Sequence, residues 1–340
     1  MKNRIISFYR ENKKLILLLV RIIISVSLIV FLVKTQFKDI RSALEIIKSV
    51  NKPLLILSLS THIFGIWITA VRWNTLLGTQ KVKLGTTTLT LTVLIGFFFN
   101  NFLPTSIGGD VFRTYDAAKK ANIPIETSAS IIIVERFSGI ISASTYAIIA
   151  LFLGFTAIGN QSFIIPVIIF FIICIIIAFF ILNPSMLRLN KLIDRIKFLK
   201  KVKEKLANIY FTFLSFKKFK WVLVRVLIYS FLLQFAVILN YFLAAKSLGI
   251  NLNLTAFIFI VPVVTIIAMV PISIGGIGIR ENTLVFIMTA IGVGSEQAAL
   301  CALLIFLMLI FIGIIGGIIY SIRPHYIKHS TTKNLSNSKS

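Results

Sequence analysis

Charge is scarce in this sequence. Lysine, arginine, aspartate and glutamate make up 14% of its 340 residues, against about 25% in an ordinary soluble domain. Carboxylates are scarcer still: 11 Asp and Glu stand against 36 Lys and Arg, a formal charge of +25. Asp110, Asp116 and Glu126 are scattered rather than paired, which counts against a metal-dependent lipid-phosphate transferase with its acidic cluster near a membrane surface. Cysteine is limited to Cys174 and Cys301, both in apolar runs. They match no metal spacing and form no redox pair close in sequence. His62, His325 and His329 make no metal-ligand set. A Walker-type phosphate loop is missing, so ATP would have to come from a partner. The longest hydrophilic stretch is 183–220, shorter than the roughly 50 residues of an independent catalytic domain. Neither a cofactor nor a metal is expected, and an enzyme is not the first reading.

What is present is hydrocarbon. Hydrophobic residues make up 57% of the chain and the mean hydropathy is +0.96. Apolar segments run at about 15–33, 53–71, 84–103, 128–155, 163–182, 221–245, 254–270, 279–291 and 297–320; many approach the ~20 residues that cross ~30 Å of lipid. The expectation is an all-α polytopic protein, one membrane domain over 1–340, multi-pass in the plasma membrane. The stretch 15–33 is too long for the core of a cleaved signal peptide and reads as a retained first helix. The basic excess fits cytoplasmic loops lying against anionic lipid better than a nucleic-acid surface. Residues 330–340 are polar and read as a disordered tail.

Orientation follows the positive charges. The stretch 183–220 carries eleven Lys and Arg against Asp194 and Glu204, which makes it a basic cytoplasmic linker; its part 191–220 reads as an amphipathic surface helix. Both termini are basic and are expected inside. Full crossings at 84–103 and 254–270 would break this pattern. If 84–121 instead enters from the cytoplasm and returns, and 254–291 does the same from outside, the topology closes. The expected architecture is about six transmembrane helices plus two re-entrant broken hairpins. The basic loop 34–52 runs against the charge bias and is placed outside. Arg21 and Arg225 read as snorkelling residues, and Trp67, Trp73 and Trp221 as interfacial anchors.

A ten-residue motif occurs twice. Residues 104–113 read PTSIGGDVFR and residues 271–280 read PISIGGIGIR, six identities at a spacing of 167. The same shift carries 53–71 into the helix at 221 and 128–153 onto the last apolar segment. The chain therefore divides into halves, 15–155 and 163–320, with opposite expected orientations: an inverted repeat of the kind found in secondary transporters. Proline ends each incoming helix, and Gly108–Gly109 or Gly275–Gly276 allow reversal. Irregular backbone of this sort is tolerated in a membrane only inside protein or around a wet cavity. Each returning half-helix would aim its N-terminus at the centre, where it favours an anion. Arg113 and Arg280 follow the glycine pairs and offer a bidentate grip on phosphate. Glu135, Arg136, Asp110 and Glu281 are the other intramembrane charges. Two accounts of them stay open: a headgroup site, or ion pairs that fasten the halves together, for instance Glu135 with Arg113 or Arg280. Asn100 and Asn101 line a polar cavity on one reading and cap a helix on the other.

The stretches FFFNNFLPTSIGGDVFRTYDAAKK, VERFSG and PISIGGIGIRE resemble the lysylphosphatidylglycerol synthase transmembrane family, the flippase-like membrane domain also found in the multiple peptide resistance factor. The resemblance spans roughly 10–325. It implies movement of a lipid or lipid-linked sugar with a phosphate-containing headgroup between leaflets. In fused family members a soluble domain makes the aminoacylated lipid; no such domain is read here, and aminoacyl transfer is not expected. Ile277 stands where the first motif has Asp110, so the halves are not chemically equivalent. The implied partners are a membrane lipid as substrate and anionic lipid at the cytoplasmic surface, with room for a homo-oligomer and none for nucleic acid. A membrane-embedded transferase and a small-anion secondary transporter are the competing functions.

Overall fold

The computed structural model describes residues 23–24, 26–32, 34–36, 48–102, 108–152, 214–269 and 273–323. The expectations for 163–182, most of the linker 183–220, the tail 330–340, and Pro104 and Pro271 lie outside the described residues. Within them the regular structure is entirely helical. The principal elements are α1 (Lys52–Leu77), α2 (Thr86–Phe102), α3 (Gly108–Ala121), α4 (Ile125–Phe152), α5 (Lys220–Ser247), α6 (Leu254–Ala268), α7 (Ile279–Ala290) and α8 (Ser295–Ile322). α1 starts where Asn51 accepts a hydrogen bond from the Leu54 N–H and Pro53 occupies the first turn, a cap and a residue suited to that position.

Length separates the helices into two kinds. Lys52–Gln80, Ile125–Ala150, Lys220–Ser247 and Ser295–Ile322 are long and apolar enough to cross a membrane. α2, α3, α6 and α7 have 17, 14, 15 and 12 residues. At ~1.5 Å per residue they reach only about 18–26 Å, short of the hydrocarbon thickness. Four spanning helices among the described residues is therefore the observed number, against about six expected from the whole sequence.

Each half runs long, short, short, long. A shift of 167 residues carries α1 onto α5, α2 onto α6, α3 onto α7 and α4 onto α8. The main packing partners follow the same shift: α2 lies along α8 as α6 lies along α4, and α2 packs on α3 as α6 packs on α7. α1 and α5 pack on each other and run antiparallel. The Asn51 N–H donates to the Ser247 carbonyl at one end. The Ser58 hydroxyl donates to the Asn240 carbonyl at 2.7 Å further along, and Arg72 reaches Ser230 towards the other end.

Two close helix crossings depend on glycine. A Cβ on Gly316 of α8 would overlap the Leu94 carbonyl of α2, and a Cβ on Gly109 of α3 would overlap the Gly96 carbonyl. Small residues of this kind let helices approach to backbone contact where water provides no drive for association. α2 and α3 form an antiparallel hairpin: Thr92, early in α2, donates to Asp116, late in α3, at 2.7 Å. Arg323, the C-cap of α8, lies 3.3 Å from the same carboxylate. The C-terminal end of α8 thus sits at the open end of that hairpin.

Candidate functional site

Glu135 sits near the middle of α4, 2% exposed. Two guanidiniums hold it. Arg113 Nη2 of α3 lies 2.7 Å from its Oε2, and Arg72 Nε of α1 lies 3.3 Å from its Oε1. Arg113 also faces Asp110 at 3.6 Å, and Arg136 donates through Nε to Asp110 at 2.7 Å, with a second, shorter contact from Nη2. Arg113 lies over the Trp73 ring, 4.4 Å from its centroid, an arrangement that attracts a cation to the ring face. On the other side, Arg72 Nη1 donates to Ser230 Oγ of α5 at 3.0 Å, and Ser230 donates to Ser138 Oγ of α4 at 2.9 Å. A buried carboxylate needs this many donors, because an unpaired charge in hydrocarbon is costly.

These charges form one wall of a cavity of about 300 Å³. α1 to α4 contribute from the first half, α5 and α6 from the second, with Leu233, Gln234 and Val237 on α5, Thr265 and Ile266 on α6, and Met269 at the α6 C-cap. Gly139, a turn beyond Glu135, lines it too, and a Cβ there would meet nothing within 4 Å. Most of the remaining lining is apolar. That composition suits a pocket that excludes bulk water and fixes a ligand with a few polar groups.

Four expected site residues, Asp110, Arg113, Glu135 and Arg136, come together here. Gly108 and Gly109 are buried at the start of α3, with Gly109 pressed against α2. Arg280 and Glu281 are not among the cavity's lining residues. Arg280 Nη2 pairs with Glu281 Oε1 at 2.5 Å, and Glu281 Oε2 accepts the Gly278 N–H at 2.6 Å, which braces the second turn. Glu135 therefore pairs with Arg113 but not with Arg280. Gly275 and Gly276 both have positive φ. A Cβ on Gly275 would lie 2.8 Å from the Asn100 carbonyl, so the second turn meets the end of α2. Asn101 donates to the Leu309 carbonyl at 2.8 Å, tying α2 to α8.

One reading of the sequence is corrected. Trp73 is fully buried beneath Arg113 rather than anchored at an interface, because α1 continues past the expected end at 71 to Leu77. Trp67 and Trp221 are exposed. The same extension hides Arg72, which reads as a loop charge if the helix stops at 71; the apolar Leu76–Leu77 is the signal that the helix goes on. His62, Ser230 and Gln234 carry no sequence signal beyond being polar in an apolar helix.

The family model described as the lysylphosphatidylglycerol synthase TM region matches residues 18–317. The chain is also 26% identical over 319 residues to the UPF0104 membrane protein PH1989 of Pyrococcus horikoshii, covering 88% of this chain and 95% of that one. No solved structure matches it. Four membrane-length helices and a family match over nearly the whole chain lead to one conclusion: this is an integral membrane protein that belongs to the lysylphosphatidylglycerol synthase transmembrane family.

Proposed function

We propose that this protein is a flippase of the plasma membrane: it moves a lipid or lipid-linked sugar with a phosphate-containing headgroup between leaflets. The observation that carries this reading is the cavity at the seam between the halves, with three guanidiniums on one wall and mostly apolar side chains on the rest. A headgroup fits a volume of about 300 Å³; acyl chains do not, and they would remain in the surrounding lipid. The repeated element order and the antiparallel run of α1 and α5 support an inverted repeat, in which α2–α3 and α6–α7 enter from opposite faces and return. Both termini are then cytoplasmic.

Gly139 gives the direct test. A Cβ there has open space around it, and a leucine would extend from it into the cavity. Purified protein in liposomes should speed the exchange of labelled anionic phospholipid or polyprenyl-phosphate sugar between leaflets, and Gly139→Leu should abolish the gain while the protein stays monodisperse. Equal acceleration by the leucine variant would remove the cavity from the pathway. Uptake of a water-soluble anion without lipid exchange would make the protein a small-anion transporter. Metal-dependent chemical turnover of the lipid would make it a transferase.

A further inference from the structure

A second cavity, of about 350 Å³, opens where α1 ends and α5 begins, on the face that the proposed topology makes cytoplasmic. Asn74 and Thr75 of α1, Lys83 of the α1–α2 connection, Thr86 at the start of α2 and Arg225 of α5 line it. Lys83 and Arg225 come from different halves, are both exposed, and face one pocket that no carboxylate lines. Neither pairs with a carboxylate among the described residues. None is close in sequence either: residues 46–109 and 205–280, which supply the whole pocket, contain no Asp or Glu. Snorkelling accounts for an arginine near a helix end. It does not account for a lysine from the other half facing the same pocket. Two like charges there repel, and an anion between them would offset the repulsion. The first turn of α2 adds free N–H groups and the positive end of its dipole.

The surface beside the pocket is apolar and faces outward. On α1, Trp67, Val71, Asn74 and Gly78 fall on one stripe. Trp67 is exposed and stacks on exposed Phe64, with ring centroids 5.8 Å apart. On α5, Ile228 and Leu232 continue from Arg225 in the same direction and are exposed, because the two helices run antiparallel. Trp67 lies about 12 Å along α1 from Thr75, within the half-thickness of a ~30 Å hydrocarbon layer. Charge at one end and an apolar strip of one leaflet's depth match a phospholipid lying against the helix pair. A soluble anion would use only the charged end.

We propose that the outer side of the α1–α5 pair holds a resident phospholipid of net negative charge, its phosphate bridging Lys83 and Arg225 and a chain lying over Trp67. This lipid is bound rather than transported. Its pocket shares no lining residue with the central cavity, so its occupancy is independent of the flippase reading. Charge, not headgroup shape, selects it.

Fluorescence quenching in vesicles tests this. Trp221→Phe leaves Trp67 at the strip and Trp73 buried beneath Arg113. The full-length protein is reconstituted in dioleoyl phosphatidylcholine with increasing fractions of lipid brominated in mid-chain, either phosphatidylmethanol, which is anionic, or phosphatidylcholine. The anionic lipid should occupy the site at Trp67 at least about tenfold in preference to phosphatidylcholine, and Lys83→Gln and Arg225→Gln should each reduce the preference about fivefold. Lys81→Gln with Lys218→Gln removes as much charge from the same end of the molecule but outside the pocket, and should leave the preference nearly intact. Equal quenching by the two lipids before any charge is removed overturns the site, a comparison that needs no charge variant to fold. Equal losses from the two pairs of substitutions overturn it as well, because the attraction is then that of a diffuse basic surface. Inorganic phosphate that erases the preference at millimolar concentration, where chloride of the same ionic strength does not, would assign the pocket to a soluble anion and overturn the lipid.

Discussion

At the scale of single residues, the ion cluster separates into a structural part and an accessible part. Glu135 is shared by Arg72 and Arg113, and its side chain is 2% exposed. Glu135→Gln removes the charge that both guanidiniums face, and breaking a buried pair in this way costs on the order of 3–5 kcal/mol. A large drop in thermal or denaturant midpoint is expected, with loss of activity following from it. Arg136 differs: its side chain is 43% exposed. Arg136→Ala should lower stability by less than about 1 kcal/mol yet slow lipid exchange at least tenfold. Midpoints and exchange rates measured on the same preparations check both; a strongly destabilised Arg136→Ala would mean that the Asp110 pair is part of the frame. The sequence makes Glu135 and Arg136 legible, because charge inside an apolar run must have a purpose, and Arg113 legible through its place in the repeated motif. It does not make their partners legible. Arg72 sits beside a helix end that hydropathy places too early, and Gln234 or Ser230 acquire meaning only from what faces them.

At the scale of elements, length and close approach do most to set the architecture. α2 and α8 touch through Gly316, whose missing side chain leaves room for the Leu94 carbonyl. Gly316→Leu must push the two helices apart, and overpacking costs typically 1–3 kcal/mol. Here the obstacle is backbone rather than a movable side chain, so the expected result is little or no monodisperse protein on size exclusion, against normal yield for Gly139→Ala. Equal yields would mean that the crossing is looser than described. Helix existence was readable throughout the described residues, since every expected apolar segment there is a helix. The short lengths of α2, α3, α6 and α7 also follow from the sequence, because Pro104, Pro271 and the glycine pairs cap how far each can run. The partners of each helix do not follow: α2 lies along α8, some two hundred residues away, and that pairing depends on shape.

At the scale of the whole molecule, the re-entrant reading fixes which loops share a face. Single cysteines introduced as Lys83→Cys and Ile125→Cys should react from the cytoplasmic side with an impermeant thiol reagent. Asn251→Cys and Ser295→Cys should react only from outside. All four positions are exposed, and the native Cys301 is buried. If Lys83→Cys and Ile125→Cys label from opposite sides, α2–α3 is a single crossing and the inverted repeat is lost. The repeat itself was visible as the twice-used motif, and its register carries through all four helix pairs.

The shift that superposes the helices does not superpose the chemistry. Arg72 corresponds to Leu239, Asp110 to Ile277, Glu135 to Ala302 and Arg136 to Leu303; of the charged wall only Arg113 has a charged counterpart, Arg280, which is paired with its own neighbour. On the proposed flippase reading, one half would grip and the other would slide. A headgroup crossing between them would travel on a one-sided rail, held throughout by α3 and α4 while α6 offers a smooth face. Opening and closing would then be uneven motions, with the greased half moving past a headgroup that stays anchored to the other.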